Sequence, residues 1–397
     1  MGENGNTDPP LIPVENNPMV HSQGIEIVDG HGKAIQLRGV LIEGWLMWNG
    51  PLWGAGLTSE SHITQRLQQM AGKQQTELFR TAIYENFITE GDIRMIAEMG
   101  FNTLRVPFNH TVLEDENALE AYSASGWKYL DRLIEWCEKY QVYVVLDLHS
   151  LPGGQSGVFV CDPDLIKVWQ SPENQQRTID IWIAIAKRYR DQEIIAGYDL
   201  INEPHPPKGS DLITLYRRII KGIRAVDPYH MIILEGTGVV ASDFSAFRGP
   251  LDANQVYSFH TYNFITSATG ENDLKRLAQF AASQKVPLWN GEFGAHKSSW
   301  VSAEVDLFAN PQYHVNGWIF WPWKRAAEAD QTRYRLLMEI ITTPAWKKFA
   351  ESIYALFGPD PAISKEDAKK AMDEFIRSIK AEKLSVDQEM KEILTPK

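Results

Sequence analysis

The sequence has few cysteines, no surplus of positive charge and no long apolar run. Only two of its 397 residues are cysteines, Cys137 and Cys161, which excludes a disulfide scaffold, and no Cys/His cluster has the spacing of zinc ligands. Asp and Glu number 51 against 39 Lys and Arg, so the formal net charge is −12. This charge argues against nucleic acid or an anionic membrane as the main partner. No apolar stretch is long enough to span a bilayer.

Two further signals are absent. Neither GxGxxG nor GxxxxGK[ST] occurs, so the phosphate-binding loop expected of a doubly wound open sheet, the alternative architecture, is missing. The polar, Pro/Asn-rich segment 1–18 does not have the composition of a signal peptide, and we expect it to be a flexible leader. We expect a secreted or periplasmic protein if a signal was trimmed, and a cytoplasmic one otherwise.

Short apolar runs alternate with longer helical patterns along most of the chain. Nearly continuous apolar strands are typical of a parallel sheet that is covered on both faces. Eight such units over about 330 residues predict an α/β fold, a (β/α)8 TIM barrel. The predicted strands span residues 35–43, 102–106, 142–149, 194–203, 231–235, 256–262, 286–292 and 316–321.

The chain is longer than such a barrel requires. We predict a catalytic barrel over residues 19–358, with a long insertion at 45–89 after the first strand, and a C-terminal helical extension over 359–397. In the extension, SKED at Ser364 and SVDQ at Ser385 are similar to capping boxes, and apolar residues recur at helical spacing. We therefore expect two helices packed on the outside of the barrel, and a monomeric protein.

Two of the predicted strands end on glutamate. Active sites of (β/α)8 barrels lie at the C-terminal ends of the strands. Glu203 ends the fourth strand and Glu292 the seventh, and these strands face each other across the barrel mouth. Glycosidic bond cleavage needs such a pair, with one carboxyl group protonated to assist the leaving group and the other ionised to attack. The alternative for each glutamate is a helix cap or a surface ion pair.

Neighbouring strand ends supply partners for the two glutamates. Arg105 could donate to a carboxylate and hold it ionised. His260 and Tyr262 lie two residues apart on one strand, so they point the same way, and both can bond a carboxylate. A structural ion pair for Arg105 and a core position for His260 are the alternatives. Pro204 is expected to bias Glu203 toward an extended backbone.

These strand ends together resemble glycoside hydrolase family 5. The matching motifs run in family order from about residue 35 to 325: NTLRVPF with Arg105, LDLHSLPGG with His149, Asn202-Glu203-Pro204, SFHTYNF with His260 and Tyr262, NGEFG with Glu292, and GWIFWPWK with Trp321. The resemblance implies a retaining mechanism in which Glu203 is the general acid/base and Glu292 the nucleophile. It implies no metal and no organic cofactor.

The resemblance also implies roles for the residues around the two glutamates. Arg105 and Tyr262 would orient Glu292 and keep it charged. The remaining residues would bind the sugar: Asn202 at the 2-hydroxyl, His149 and His260 beside the scissile bond, and Trp321 as a stacking floor.

Two further substrate-binding residues are predicted from their position along the chain. Glu43 ends the first strand, and Trp48 follows it in the insertion on the active-site face. Trp53 lies in the same insertion and Trp169 in the long loop after the third strand. We expect at least one of these three tryptophans to stack on a sugar and to close the cleft into a pocket that favours a chain end. Packing of the rings into a core of their own is the alternative.

The expected substrate is an oligo- or polysaccharide or a small β-glycoside. Within the family, RGVLIEGWL, DLHSLPGGQSG and GWIFWPWK favour the exo-β-1,3-glucanase-like branch, although Glu43 stands where that branch usually has glycine. An endo-β-1,4-glucanase, a mannanase, a glucosyl-lipid hydrolase and a transglycosylase remain alternatives. From other classes, so do a metal-dependent barrel hydrolase and a non-catalytic sugar-binding barrel.

Overall fold

The computed structural model describes residues 17–115, 118–122, 124–163, 167–263, 270–326, 334–354 and 363–395. The strands are β1 His21–Gln23, β2 Glu26–Val28, β3 Leu37–Leu41, β4 Thr103–Asn109, β5 Glu114–Asp115, β6 Ala118–Tyr122, β7 Tyr143–Ser150, β8 Ile195–Asp199, β9 Met231–Glu235, β10 Gln255–Asn263, β11 Leu288–Ala295, β12 Val315–Phe320, β13 Lys324–Ala326, β14 Met338–Ile340 and β15 Ser385–Val386. The helices are α1 Gly50–Trp53, α2 Glu60–Ala71, α3 Lys73–Asn86, α4 Glu90–Glu98, α5 Ala124–Tyr140, α6 Pro172–Tyr189, α7 Gly209–Arg224, α8 Glu271–Gln284, α9 Ser298–Ala309, α10 Pro344–Tyr354, α11 Lys365–Ser378 and α12 Gln388–Leu394.

Eight strands close into a barrel in the order β3-β4-β7-β8-β9-β10-β11-β12. Every neighbouring pair is parallel, including β12 with β3, which closes the ring. The predicted (β/α)8 barrel is confirmed, and each of the eight predicted strands overlaps one barrel strand. Because all eight run the same way, their C-terminal ends meet at one mouth.

The local sequence explains both the burial of the strands and the starts of several helices. Strands β4 and β11 are buried along their whole length, as their apolar composition requires. Helix α4 begins with a capping box between Thr89 and Asp92. Helix α6 begins with Ser171 as N-cap and Pro172 in its first turn. Proline suits this position because it has no N–H, and an N–H there would have no partner within the helix.

The segment between β3 and α4 forms the helices α1, α2 and α3, which have an aromatic core. The rings of Trp48 and Trp53 lie 4.6 Å apart, and Phe79 packs edge-on against both. From the C-terminal part of the chain, Trp346 stacks on Phe375 at 3.8 Å, and Phe375 lies 5.8 Å from Trp53. The insertion after β3 and the C-terminal helices α10 and α11 therefore share one aromatic cluster.

The C-terminal helices α11 and α12 each begin after a side chain that caps the first turn. Helix α11 begins after Ser364, whose hydroxyl accepts from the N–H of Asp367, as the SKED motif predicts. Helix α12 is capped by Asp387, not at the expected Ser385, which lies in β15 and pairs with β14. Within the described ranges, no helix is long and apolar enough to cross a membrane.

Candidate active site

The backbone at Glu203 differs from the expectation. Strand β8 ends at Asp199, so Glu203 lies four residues beyond it, in a turn. Its φ is +41°, in the left-handed region rather than the extended one that a following proline favours. The expected extended backbone is therefore wrong. A long-range contact explains the difference, because the Glu203 N–H donates to a carboxylate oxygen of Glu235 on β9, at 2.6 Å.

Arg105 on β4 is the buried centre of the charged groups at the barrel mouth. Its Nε donates to Asp199 at 2.9 Å, and its Nη2 donates to Glu235 at 2.9 Å and lies 3.2 Å from Asp147. Its Nη1 donates to Glu292. Burial alone would lower the pKa of Arg105, but these carboxylates raise it well above its usual value, so the guanidinium is always charged.

Glu292 on β11 is held as an ionised carboxylate. One oxygen accepts from Arg105, and the other accepts from the hydroxyl of Tyr262 at 2.5 Å. Burial alone would raise the pKa of Glu292, but the positive charges of His260, Arg105 and His149 outweigh it and lower the pKa to about 2. A buried, charged carboxylate with two donors suits a nucleophile.

Glu203 titrates in the opposite direction. Burial raises its pKa to about 7, and the nearby His260, whose Nδ1 lies 3.0 Å from Oε1, only partly offsets this. The charge of Glu292 adds to the upward shift. Between about pH 2 and pH 7 the site therefore contains one ionised carboxylate and one carboxyl group that mostly carries a proton, the combination that acid-assisted displacement needs.

The two glutamates lie close together. One oxygen of Glu203, one oxygen of Glu292 and a ring nitrogen of His260 lie within 4.8 Å of one another. This spacing is typical of retaining glycosidases, whose carboxyl groups lie about 5–5.5 Å apart, and not of inverting ones, which leave room for a water at about 6.5–9.5 Å.

Two further polar residues line the site beside the glutamates. Asn202 accepts from Arg105 Nη2 at 3.0 Å, and its amide nitrogen lies 3.2 Å from His149 Nε2. His149 Nδ1 lies 2.7 Å from a carboxylate oxygen of Asp147. Burial alone would lower the pKa of His149, but Asp147 raises it to about 9. Both side chains are thereby fixed before any ligand is bound.

Trp321 and Glu43 form the opposite wall. The indole Nε1 of Trp321 donates to Glu43 Oε2 at 2.6 Å, and Asn49 donates to Glu43 Oε1 at 2.8 Å. Glu43 Oε1 also lies 3.8 Å from His149 Nε2. Burial raises the pKa of Glu43, and the charge of His149 opposes the shift. The first and eighth barrel strands thus bring a carboxylate and an indole ring to the same site.

Comparison with known proteins identifies the family. A family model described as cellulase (glycosyl hydrolase family 5) matches residues 61–327. The chain belongs to glycosyl hydrolase family 5. The resemblance seen in the sequence is confirmed by this match.

Curated relatives carry several different names. A beta-xylosidase of Phanerodontia chrysosporium is 33% identical over 289 residues, which are 68% of this chain and 60% of the relative. Endoglucanase C of Acetivibrio thermocellus is 33% identical over 190 residues, 48% of this chain and 54% of the relative. The chain thus matches little more than half of the length of these two relatives. A probable glucan 1,3-beta-glucosidase A of Neosartorya fischeri is 25% identical over 350 residues, 72% of this chain and 82% of the relative.

Solved structures agree on the fold. The crystal structure of rutinosidase from Aspergillus niger aligns with a TM-score of 0.58 and 18% identity, covering 81% of this chain and 98% of that one. At this identity the likeness concerns the fold alone, and it agrees with the barrel described above.

Trp48 is not brought into this family 5 site. It is fully buried in the aromatic core of α1–α3, with the ring of Trp53 on one side and the Arg80 guanidinium carbon 4.0 Å from its ring centroid. Trp53 is buried in the same core, so neither ring has a face for a sugar. Trp169 is partly exposed, and its indole N–H donates to the Gln155 carbonyl at 2.8 Å. The expected role of Trp48 is wrong because the ring packs the insertion.

Three carboxylates of the site were missing from the predicted set. Asp147, Asp199 and Glu235 are fully buried, and each of them contacts Arg105. All three lie at or near the C-terminal end of a barrel strand, as Glu292 does. The same strand-end signal could therefore have identified them.

A cation is an alternative occupant of the site, since Glu203, His260 and Glu292 are close enough to hold one. Both oxygens of Glu292 already accept hydrogen bonds, one of them from the charged Arg105, which would repel a cation. His260 lies between two carboxylates, with Nδ1 3.0 Å from Glu203 and Nε2 3.1 Å from Glu235. The arrangement suits proton transfer better than metal binding.

Proposed function

We propose that the protein is a retaining β-glycoside hydrolase that works by double displacement. The observation that carries this proposal is the pair Glu203 and Glu292, close together and with pKa values of about 7 and about 2. Membership of glycosyl hydrolase family 5 supports it. A non-catalytic sugar-binding barrel would have no use for two buried carboxyl groups in opposite protonation states.

In the first step, Glu292 attacks the anomeric carbon while Glu203 gives its proton to the glycosidic oxygen, which leaves with the aglycone. The bond that forms joins a Glu292 oxygen to the sugar, so the negative charge of Glu292 is lost. Because that charge raises the pKa of Glu203, the pKa of Glu203 falls in the covalent intermediate. Glu203 is then a carboxylate, ready to act as base.

In the second step, Glu203 takes a proton from water, and the resulting hydroxide attacks the anomeric carbon. The bond to Glu292 breaks, and the sugar leaves with its β configuration restored. Arg105 and Tyr262 stabilise the carboxylate of Glu292 as it is released. A second sugar in place of water would give transglycosylation, which product analysis detects.

The substrate that we propose is a β-glucan or β-glucoside attacked at a chain end, with β-1,3-linked glucan favoured. Glu43 departs from the glycine that is usual in the exo-β-1,3-glucanase-like branch, but its buried carboxylate lies beside Trp321 and His149 and can accept from hydroxyls of a terminal sugar, which supports attack at a chain end. A continuing chain would replace one of those hydroxyls by an ether oxygen, which cannot donate. The names of the xylosidase and glucan 1,3-beta-glucosidase relatives also support an exo enzyme.

An endo-acting β-1,4-glucanase is the second candidate. The observation that favours it is endoglucanase C, which is as similar in identity as the xylosidase over a shorter stretch. Laminari- and cello-oligosaccharides, with aryl β-glucoside and β-xyloside beside them, separate the candidates. We expect early release of single glucose units from β-1,3 oligomers. On a soluble β-glucan polymer, a spread of long products with a fast drop in viscosity would contradict the exo proposal.

The mechanism is tested by Glu203→Ala with 2,4-dinitrophenyl β-glucoside. This leaving group needs no proton, so the first step should survive, while the second step lacks its base. Added azide should then restore turnover and give a β-configured glucosyl azide. Glu203→Gln should lose about 10²- to 10⁴-fold in kcat/KM on natural oligosaccharides. An α-configured azide product, or near-parental activity of Glu203→Gln on those oligosaccharides, would refute the mechanism.

A further inference from the structure

One buried carboxylate outside the substrate's reach contacts three parts of the proposed machinery. Glu235 ends β9 and is fully buried. Its Oε2 accepts from the backbone N–H of Glu203 at 2.6 Å. Its Oε1 accepts from Arg105 Nη2 at 2.9 Å and lies 3.1 Å from His260 Nε2. Glu235 thus joins the acid/base residue, the histidine beside it and the arginine that holds the nucleophile.

We propose that Glu235 is a positioning residue for the acid/base Glu203, because it fixes both the backbone of Glu203 and the ring of His260. This inference rests on the proposed function, since it assigns a purpose to Glu203 as proton donor. Glu235 itself has no exposed surface, so it would act through the residues that it contacts.

The backbone of Glu203 requires an external hold. A non-glycine residue with φ of +41° is disfavoured, and the following proline also draws this residue toward an extended conformation. The short hydrogen bond from its N–H to Glu235 opposes both tendencies. Since a charged acceptor roughly doubles the strength of such a bond, Glu235 is well suited to this task.

The ring of His260 is fixed by the same carboxylate. Burial alone would lower the pKa of His260, but Glu235 and Glu292 raise it well above its usual value, so the ring is charged. Its Nε2 lies 3.1 Å from Glu235, and its Nδ1 donates to Glu203 Oε1 at 3.0 Å. By holding the ring in this orientation, Glu235 keeps the Nδ1–H directed at Glu203.

Balancing the charge of Arg105 does not explain Glu235. Asp147 and Asp199 also contact that guanidinium. Of these three carboxylates, Glu235 also accepts from the backbone of Glu203. The position of Glu235 is itself fixed, because the hydroxyl of Tyr216 donates to its carbonyl at 3.1 Å.

The test compares two substrates in Glu235→Gln. Glutamine has one acceptor oxygen and an NH₂ group, so it cannot accept from the Glu203 N–H and from Arg105 on two separate oxygens, as Glu235 does. A disaccharide needs its leaving group protonated, whereas a 2,4-dinitrophenyl glycoside of the same sugar does not. We expect kcat/KM to fall by about 10²-fold for the disaccharide and by less than about tenfold for the aryl glycoside. A role in folding alone would lower both values by the same factor.

Asp199→Asn is the matched control. Asp199 is equally buried and accepts a hydrogen bond from the same Arg105, and its hydrogen bonds among the described residues do not include Glu203 or His260. We expect this variant to lose the same factor on both substrates. If kcat/KM in Asp199→Asn falls more for the disaccharide than for the aryl glycoside, by as much as in Glu235→Gln, the effect arises from Arg105 and the proposal is overturned.

The remaining outcomes are distinguishable. If the parent enzyme turns over neither substrate, the proposed function fails, and this inference fails with it. If the parent is active and Glu235→Gln loses equally on both substrates, or loses nothing, the inference alone is overturned. Near-UV circular dichroism checks the fold. If Glu235→Gln does not fold, Glu235→Asp takes its place, because it keeps the charge but has a shorter side chain. Its kcat/KM must then also fall more for the disaccharide than for the aryl glycoside.

Discussion

Two of the buried groups of charges among the described residues lie at the barrel mouth and between helix α4 and strand β13. At the mouth, the Arg105 cluster (Arg105 with Asp147, Asp199, Glu235 and Glu292) sets four carboxylates around one guanidinium. Outside the barrel, the Lys324 pair (Lys324 with Asp92) sets one carboxylate beside one ammonium group at 2.8 Å. Both groups of residues are buried.

The two clusters differ in how completely their charges are matched. Lys324 also donates to the carbonyl of Ile379 at 2.9 Å, and the indole of Trp323 donates to Asp92 at 2.9 Å, so neutral groups complete the pair. The Arg105 cluster has more acidic than basic groups. Shifted pKa values reduce the excess negative charge: burial raises the pKa of Asp199 well above its usual value. The balanced Lys324 pair holds two segments of the chain together, whereas the unbalanced Arg105 cluster shifts the pKa values of its members.

The largest expected effect comes from removing the charge of Glu292. Glu292→Gln should lower kcat/KM by roughly 10⁴- to 10⁶-fold, since a nucleophile that acts within a catalytic unit is lost. The melting temperature should change little, because Arg105 keeps three carboxylates. Steady-state kinetics measures kcat/KM, and differential scanning calorimetry measures the melting temperature. Glu351→Gln, on the exposed face of α10, is the control. Activity within tenfold of the parent would remove Glu292 from the mechanism.

The Lys324 pair should show the reverse behaviour. Lys324→Met leaves Asp92 charged and buried, and we expect the free energy of unfolding to fall by about 3–5 kcal/mol. Urea denaturation measures this change, and the folded fraction should keep its kcat. Adding Asp92→Asn removes the orphaned charge and should recover part of the loss. A drop in kcat at unchanged stability would instead make the pair part of the active site.

The smallest effect is a change in pH dependence. For the free enzyme, Glu292 must be ionised, so kcat/KM falls as pH drops through about 2. Glu203 must be protonated, so kcat/KM also falls as pH rises through about 7. The parent enzyme should show the alkaline limb with a disaccharide but not with 2,4-dinitrophenyl β-glucoside, which needs no proton, and Glu203→Gln should show none with the aryl substrate. An alkaline limb that persists in this variant would assign it to another group.

Much of the fold was predictable from the sequence because the barrel strands are apolar along nearly their whole length. Arg105 and Glu292 could be placed because a parallel barrel brings strand ends together. The backbone at Glu203 could not, since its conformation depends on Glu235, which lies 32 residues further along the chain. The preference of a residue before proline for an extended backbone depends on neighbouring residues alone, so it does not include the hydrogen bond to Glu235.

The tryptophans of the insertion show a second limit. A ring that follows a strand end can line a site or fill a core, and the choice depends on what else covers it. Trp53 is covered by Phe375 and Phe79, and the first of these comes from a helix more than 300 residues later. Glu235 also ends a predicted strand, so the strand-end pattern that indicated Glu292 could have identified it.

The left-handed backbone of Glu203 has a consequence for laboratory evolution. A residue that is strained, buried and raised in pKa lowers the stability of the fold that contains it. A library selected for heat resistance alone would therefore reward glycine or asparagine at this position, and the surviving clones would be robust and inactive. Any screen for more thermostable variants of this protein has to select for catalytic activity at the same time.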